Sequence, residues 1–121
     1  MNKSKIKTIC FDIDGVICTT ALKTNYNKSK PIKKNIKMIN FLYKKGFKIV
    51  LHTARYMGKC NNDRYLAERK IKNHTLKQLK TWGVLFHEIY FGKPSFDIVI
   101  DDKAISFNKN WNKILIKNLD L

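Results

Sequence analysis

The apolar positions of this chain fall into four short runs separated by longer polar or mixed stretches. Each run is rich in branched or aromatic residues, which are typical of strands buried in a sheet. The runs are KIKTICFD at 5–12, FKIVLHT at 47–53, LFHEIYF at 85–91 and FDIVI at 96–100. The pattern therefore predicts four strands.

Two of the intervening stretches have the apolar spacing of an amphipathic helix. Pro31 is placed to open the first helix, and Gly46 is placed to end it. The second predicted helix extends from about Asp63 to Trp82, with Gly83 after it. Strands that alternate with helices predict an α/β fold with a parallel sheet and right-handed crossovers.

Three segments lack a clear period. Residues 15–30 contain several turn formers and predict an irregular excursion or a hairpin, while residues 54–62 predict a polar loop. The tail, residues 107–119, predicts a short amphipathic segment or a last edge strand. No internal repeat or linker is visible, and 121 residues suit one domain over 1–121.

Composition narrows the class of protein. Apolar residues make up 44% of the chain, which suits a globular protein. No segment of signal-peptide type is visible, and no run of about 18 apolar residues could span a bilayer. Cys10, Cys18 and Cys60 show no Cys-x-x-Cys spacing, so neither a disulfide framework nor a zinc site is indicated. We therefore expect a reducing, cytoplasmic compartment and no membrane partner.

The formal charge of +16 raises the question of whether the protein binds nucleic acid. Only three of the 25 basic residues are arginines, whereas nucleic-acid readers usually use the arginine fork as well as lysine. The chain is also rich in Lys, Asn and Ile, a bias that fits an AT-rich genome. A solvated lysine surface is therefore favoured over a nucleic-acid patch.

Polar residues follow the ends of the predicted strands, and in a parallel sheet these ends meet at the ligand-binding edge. They are Asp12 and Asp14, Thr53, Lys93, and Asp101 with Asp102. Several carboxylates at one edge repel each other and need a cation, and oxygen ligands with open positions favour Mg²⁺. With a lysine and a hydroxyl beside them, this set is suited to phosphoryl transfer, which depends on charge neutralisation and in-line positioning.

The motifs DIDGV, HTAR, GKP and IVIDD, which occur in this order between residues 6 and 102, resemble the four ordered motifs of the haloacid dehalogenase (HAD) superfamily. The resemblance implies a Rossmann-like three-layer α/β fold with a parallel sheet in the order 3-2-1-4. Asp14 favours a phosphatase or phosphotransferase, because the dehalogenases of the family lack this aspartate and its P-type ATPases carry threonine there.

The resemblance also implies catalytic roles. Asp12 resembles the nucleophile that forms an aspartyl-phosphate. Asp14 resembles the acid/base that protonates the leaving alcohol and then activates water. Thr53 is expected to hydrogen-bond a phosphate oxygen, and Lys93 is expected to hold the nucleophile and the phosphate charge.

Metal and substrate ligands follow in the same way. The implied Mg²⁺ ligands are Asp12, the backbone carbonyl of Asp14, and Asp101, with Asp102 bound directly or through water. Gly15 and Ala54 join Thr53 and Lys93 as implied substrate contacts. Arg55 lies directly beyond Thr53 and is expected to touch substrate, with a surface ion pair as the alternative. His52 is expected to be a core or tautomer-holding histidine, and Cys18 to be a packing residue.

The intervals between the motifs hold one helix and a loop each, which leaves no room for a cap domain. The chain is most similar to the small capless phosphatases of capsule and surface-polysaccharide biosynthesis. This implies a Mg²⁺-dependent hydrolase of a small phosphorylated metabolite such as a sugar, polyol or amino-alcohol phosphate. A nucleic-acid end-processing phosphatase and a non-catalytic HAD-like binding protein are the alternatives. The oligomeric state stays open, with assembly through residues 16–31 as one option.

Overall fold

The computed structural model describes residues 6–121. Its strands are β1 (Thr8–Asp12), β2 (Lys48–Thr53) and β3 (Glu88–Phe91), and its helices are α1 (Lys33–Lys44), α2 (Arg64–Thr81) and α3 (Trp111–Asn118). The fold is α/β, with an open parallel sheet in the order β1-β2-β3. Lys5, which begins the predicted first strand, lies outside the described residues.

The strand register brings the carboxyl ends of the three strands to one edge. Asp12, the last residue of β1, lies opposite His52, and Thr53, the last residue of β2, lies opposite Phe91 of β3. Side chains that follow these strands are therefore close together, as expected for a parallel sheet.

The two predicted helices are confirmed. Helix α1 ends just before Gly46 and buries Ile36, Ile39 and Leu42 at helical spacing. Helix α2 begins after Asp63, whose carboxylate accepts hydrogen bonds from the backbone N–H groups of Tyr65 and Leu66 at 3.1 and 3.2 Å. An N-cap of this kind satisfies backbone donors that have no partner within the helix.

The core lies between the sheet and the helices. Every fourth residue of α2 from Ala67 to Leu79 is buried, so this helix presents one narrow stripe to the interior. The tail, predicted as a short amphipathic segment or an edge strand, forms α3. Trp111 at its start packs edge-on against Phe11 of β1, with 6.1 Å between ring centroids. Within residues 6–121 no helix is long and apolar enough to cross a membrane.

The predicted fourth strand is absent from the described part of the chain. Residues 96–100 have no regular secondary structure, and the side chains of Ile98 and Ile100 are 82% and 98% exposed. An apolar run forms a strand only where a neighbouring strand takes up its backbone hydrogen bonds. Among the described residues, the strand that pairs with β1 is β2 alone. Of the implied order 3-2-1-4, the structure therefore contains 3-2-1.

Candidate active site

A chain of direct contacts joins the polar residues that follow β1, β2 and β3. Lys93 forms an ion pair with Asp12 and donates its backbone N–H to the carbonyl of Thr53 at 3.1 Å. The hydroxyl of Thr53 accepts the backbone N–H of Arg55 at 3.1 Å, and the guanidinium of Arg55 binds Asp14. The four predicted catalytic residues thus lie at one edge of the sheet, as the strand-end argument predicted.

Asp12 is held on both carboxylate oxygens. Oδ2 lies 3.3 Å from Nζ of Lys93, and Oδ1 accepts the backbone N–H of Ile13 at 3.0 Å. The Asp12 side chain stays about one-third exposed, so its carboxylate is both oriented and open to solvent. An anchored carboxylate at the surface of a sheet edge can act as a nucleophile.

A tight turn after β1 sets the direction of Asp14. The carbonyl of Ile13 accepts the backbone N–H groups of Val16, Ile17 and Cys18 at 3.2, 2.8 and 3.2 Å. Gly15 has φ of +89°, which a residue with a side chain rarely adopts. Its N–H donates to the carbonyl of Cys18 at 2.7 Å. The predicted substrate contact at Gly15 therefore has its N–H engaged within the turn.

Arg55 is placed differently from its prediction. Its side chain is fully enclosed, with Nε 3.0 Å from Oδ2 of Asp14 and Nη2 3.0 Å from Oδ1. The substrate contact predicted for Arg55 stays a prediction, and it would have to reach a side chain with almost no exposed surface. The pair with Asp14 is not the surface ion pair given as the alternative, because it is buried on the arginine side. The chain turns inward after Thr53, which the sequence spacing alone does not reveal.

Thr53 and Ala54 lie where the chain leaves β2. Thr53 is almost fully buried, and its hydroxyl, which accepts from Arg55, keeps one hydrogen to donate. Ala54 is partly buried, and its carbonyl accepts the backbone N–H of Met57 at 2.9 Å. The predicted hydrogen bond from Thr53 to a phosphate oxygen therefore requires the phosphate to reach a covered hydroxyl.

Four titratable groups beside the site have shifted pKa values, and in each of them burial is the largest cause: the pKa values of Cys10, Cys18 and Tyr26 are raised and that of His52 is lowered. Burial, followed by the negative charge of Asp14, raises the pKa of the Cys18 thiol to about 12. Burial, followed by the positive charge of Lys93, lowers the pKa of His52. Cys18 is therefore a protonated thiol at neutral pH, which agrees with its prediction as a packing residue.

Gly92 brings α2 close to the end of β3. A Cβ atom at this position would lie 2.5 Å from Cβ of Arg64, and the residue has φ of +90°. Lys93 follows immediately, so the close approach of Arg64 and the turn at Gly92 fix where Lys93 leaves the sheet. The glycine of the GKP motif thus has a steric reason in this chain.

The implied Mg²⁺ ligands are not assembled in this arrangement. Within residues 6–121 no three His, Cys, Asp or Glu side chains lie close enough together to hold a metal ion. Asp101 and Asp102 lie in the exposed segment that follows residues 96–100, where Asp101 accepts the backbone N–H of Lys103 at 2.8 Å. The carboxylates of Asp12 and Asp14 are paired with Lys93 and Arg55 instead. The donor set as it stands does not fit the ion.

Three residues that the sequence did not single out complete the surroundings of Arg55. Thr75 and Gln78 of α2 accept hydrogen bonds from it, and the ring of Tyr26 covers one face of the guanidinium. Thr75 and Gln78 lie 20 and 23 residues away in sequence. The sequence signal for this environment is Thr75, a polar residue on the otherwise apolar buried stripe of α2.

Chemically, the site offers a carboxylate beside an ammonium group and, through the contact chain, a second carboxylate beside a guanidinium. The two carboxylates can take different roles, one as an anionic nucleophile and the other as a group that carries protons, because two close carboxylates cannot serve the same role equally well. Lys93 supplies a positive charge for an anionic substrate. These groups are ones that transfer of a phosphoryl group can use.

No family model and no curated protein matches the chain. Among solved structures, the crystal structure of a structural-genomics target from Vibrio cholerae is similar to it, with a TM-score of 0.76 and 24% sequence identity. The alignment covers 92% of this chain and 97% of that one. At this identity the similarity extends to the fold alone, and it supports a small α/β architecture over nearly the whole chain.

Proposed function

We propose that the protein is a phosphomonoester hydrolase that works through an aspartyl-phosphate on Asp12. The observation that carries the proposal is the Asp12–Lys93 pair at the carboxyl edge of a parallel sheet, with Asp14 two residues further along the chain. Asp12 attacks phosphorus, and the phosphorus–oxygen bond of the ester breaks as the new bond forms. Lys93 stabilises the charge on the transferring group.

Asp14 is the second functional group of this proposal. It donates a proton to the departing alkoxide in the first step and removes a proton from the attacking water in the second. The hydrolysis of the aspartyl-phosphate then releases inorganic phosphate and returns Asp12 to its carboxylate form. The order of motifs and the second aspartate of the DIDGV stretch, which resemble those of HAD phosphatases, support this assignment.

The substrate class rests on the short intervals between β1 and α1 and between β2 and α2. Between β1 and α1 the chain forms only a short excursion, and between β2 and α2 only a loop. Such a site has no cap of its own, as in the small phosphatases of surface-polysaccharide biosynthesis that the sequence resembles. A sugar, polyol or amino-alcohol phosphate is therefore the proposed substrate, and the cytoplasm is the proposed compartment.

The HAD-type sheet order and the Mg²⁺ requirement belong to the same proposal. No strand from the described part of the chain lies beside the outer edge of β1, and the exposed apolar residues 98–100 precede Asp101 and Asp102. Pairing of residues 97–101 with β1 as a parallel strand would bring these two aspartates to the edge where Asp12 lies. Since the present donor set does not fit the ion, the Mg²⁺ requirement is proposed for that paired arrangement alone, and the roles given above to Asp12, Asp14 and Lys93 are not assigned through the ion.

The net charge of +16 favours one further candidate, a phosphatase that trims nucleic-acid ends. It shares the chemistry of Asp12 and Asp14 and differs only in the substrate. The same assay can therefore separate the two candidates from each other and from a binding protein without turnover.

The test is a phosphate-release screen with Mg²⁺ over sugar, polyol and amino-alcohol phosphates, together with oligonucleotides phosphorylated at the 3′ or 5′ end. The matched variants are Asp12→Asn and Asp120→Asn, which make the same chemical change in the site and at an exposed position near the chain end. We expect release from a small phosphate ester by the wild type and by Asp120→Asn, and none by Asp12→Asn.

Each alternative has its own result in this screen. Release from oligonucleotide ends alone supports the nucleic-acid candidate. No release from any substrate, with wild type and Asp12→Asn indistinguishable, removes the enzymatic proposal and leaves a binding protein. Equal turnover by wild type and Asp12→Asn on a small ester contradicts the nucleophile assignment.

A further inference from the structure

Arg55 is enclosed by residues from three parts of the chain: helix α2, the excursion between β1 and α1, and the turn after β1. Its Nη1 donates to Oγ1 of Thr75 at 3.1 Å and to Oε1 of Gln78 at 2.6 Å, both on α2. The ring of Tyr26, from the excursion between β1 and α1, lies over the guanidinium with 4.7 Å between Cζ and the ring centroid. With Asp14 on its remaining side, the guanidinium has a partner in every direction and is held in one orientation.

Tyr26 itself is fixed on both sides. Its hydroxyl accepts the backbone N–H of Tyr56 at 3.1 Å, and its backbone carbonyl accepts Nε2 of Gln78 at 2.7 Å. The excursion is thereby attached to the loop after β2 and to α2. This attachment makes the surroundings of Arg55 a closed cage and not a flexible surface contact.

The two carboxylate oxygens of Asp14 accept different numbers of hydrogen bonds from the residues of this cage. Oδ1 receives Nε of Arg55 at 3.2 Å, Nη2 at 3.0 Å and the Cys18 thiol at 3.5 Å. Within residues 6–121, Oδ2 accepts a hydrogen bond only from Nε, at 3.0 Å. Each carboxylate oxygen has two acceptor positions, so Oδ2 retains capacity that Oδ1 has used. The Asp14 side chain is 22% exposed, which leaves it accessible to a bound substrate.

We propose that Arg55 is the positioning residue for Asp14, and that it acts through this carboxylate without touching the substrate. The inference rests on the proposed function. Arg55 fixes Oδ1 so that Oδ2 is the atom that delivers a proton to the leaving oxygen as the ester bond breaks. In the second step the same Oδ2 takes a proton from water as the water oxygen attacks the aspartyl-phosphate.

A planar guanidinium is needed for this role because its Nε and Nη2 bind the carboxylate of Asp14 while its Nη1 binds the two acceptors on α2. A lysine ammonium is a point donor that cannot span both sets. Arg55→Lys therefore preserves the charge but loosens the orientation of Asp14. Misorientation of a proton donor reduces turnover without weakening ground-state binding of the phosphate.

The test is a double-mutant cycle with Arg55→Lys, Asp14→Asn and the combined variant, measured on an alkyl phosphate and on p-nitrophenyl phosphate. General acid–base catalysis supplies about 10²–10⁴-fold, so Arg55→Lys is expected to lower kcat on the alkyl ester by about tenfold or more, with KM little changed. Formation of the phospho-enzyme from the aryl ester, which needs little proton donation, should be affected much less. In the Asp14→Asn background the lysine substitution should add no further loss.

Arg69→Lys, an exposed position on α2, is the matched control and should behave as wild type. If Arg55→Lys raises KM at constant kcat, or still lowers turnover in the Asp14→Asn background, Arg55 contacts substrate directly and the proposal is overturned. Should Arg55→Lys fail to fold, Thr75→Val removes one acceptor of Nη1 and is expected to shift the ratio of alkyl to aryl turnover in the same direction. An unchanged ratio in that variant overturns the proposal too.

A second measurement separates this inference from the proposed function. The Nε–H of Arg55 is buried and bonded to Asp14, so its proton NMR signal should exchange with water at least about tenfold more slowly than those of the exposed Arg64 and Arg69. The signal is assigned to Arg55 by its absence from the spectrum of Arg55→Lys. Asp14→Asn should shift this signal. Equal exchange rates for the three arginines contradict the cage and overturn the inference even if the enzyme is active. Lack of turnover by the wild type on every ester removes the proposed function, and with it the catalytic role of Arg55, while the exchange rate still reports whether the pair is formed.

Discussion

Lys93 and Asp12 form an ion pair across the carboxyl edge of the sheet, with 3.3 Å between Nζ and Oδ2. The backbone of Lys93 is bonded to Thr53 at the end of β2, so the pair connects the ends of all three strands. The contact depends on the tertiary arrangement, since Asp12 ends β1 whereas Lys93 follows β3, the last strand of the sheet. It is the geometric feature that makes this edge the candidate active site.

Asp12→Asn is expected to abolish turnover while leaving the fold intact. The amide has the shape of the carboxylate but cannot act as an anionic nucleophile. We expect kcat to fall at least about a hundredfold, because covalent catalysis contributes several orders of magnitude. Phosphate release and a thermal unfolding curve measure the two effects, with Asp120→Asn as the control. Retention of more than about a hundredth of the wild-type rate is incompatible with the nucleophile assignment.

The sequence predicted those features that depend on local pattern. Apolar runs located β1, β2 and β3, and the helical spacing of apolar residues located α1 and α2. The strand-end argument then brought Asp12, Asp14, Thr53 and Lys93 to one edge, because parallel strands place their carboxyl ends together.

Features that depend on tertiary contacts were not predictable in the same way. Residues 96–100 have the apolar composition of a strand but are paired with no strand of residues 6–121, and composition does not determine pairing. Arg55 and Asp14 are 41 residues apart in sequence, and nothing local indicates that the arginine side chain turns inward. Tyr26 was invisible for the same reason, since its role depends on how the excursion folds back over Arg55.

Removal of divalent metal is expected to stop the reaction, with Mg²⁺ restoring it and Ca²⁺ restoring it poorly. Calcium has longer bonds and looser geometry, which suit an in-line transfer less well. Asp101→Ala should raise the Mg²⁺ concentration needed, whereas Asp120→Ala should not. If residues 97–101 pair with β1 under these conditions, hydrogen exchange of their amides should slow when Mg²⁺ is added. Full activity in excess chelator contradicts the predicted metal role of Asp101.

Cys18 is expected to resist alkylation in the folded protein. Its pKa is raised to about 12, so at pH 8 only about one thiol in ten thousand is ionised, and the side chain is buried. Cys60 is partly exposed and serves as the internal reference. Peptide mass spectrometry after iodoacetamide treatment should find Cys60 modified and Cys18 unmodified until denaturant is added. Equal labelling of the two native thiols would show that the Cys18 environment is open.

Binding of nucleic acid is expected to be weak and strongly dependent on salt. A surface of dispersed lysines neutralises phosphates without reading bases, and the affinity then falls steeply as salt increases. Fluorescence anisotropy with a random duplex should detect binding at low ionic strength that is lost by about 0.15 M salt. Binding at micromolar concentration or below that survives this salt, together with phosphate release from oligonucleotide ends, would favour the nucleic-acid candidate over the small-metabolite one.

Asp14→Asn is expected to slow the two half-reactions unequally. The amide oxygen can still accept from Arg55, so the local arrangement has a substitute partner, but the side chain can neither donate an acid proton nor act as a base. p-Nitrophenyl phosphate has a good leaving group and needs little proton donation. With this substrate the variant should form the aspartyl-phosphate at Asp12 and then stall, since no group activates the water. Rapid quench followed by intact mass should show one added phosphoryl group. Steady p-nitrophenol release without an adduct, or normal turnover, would mean that Asp14 carries no proton in this reaction.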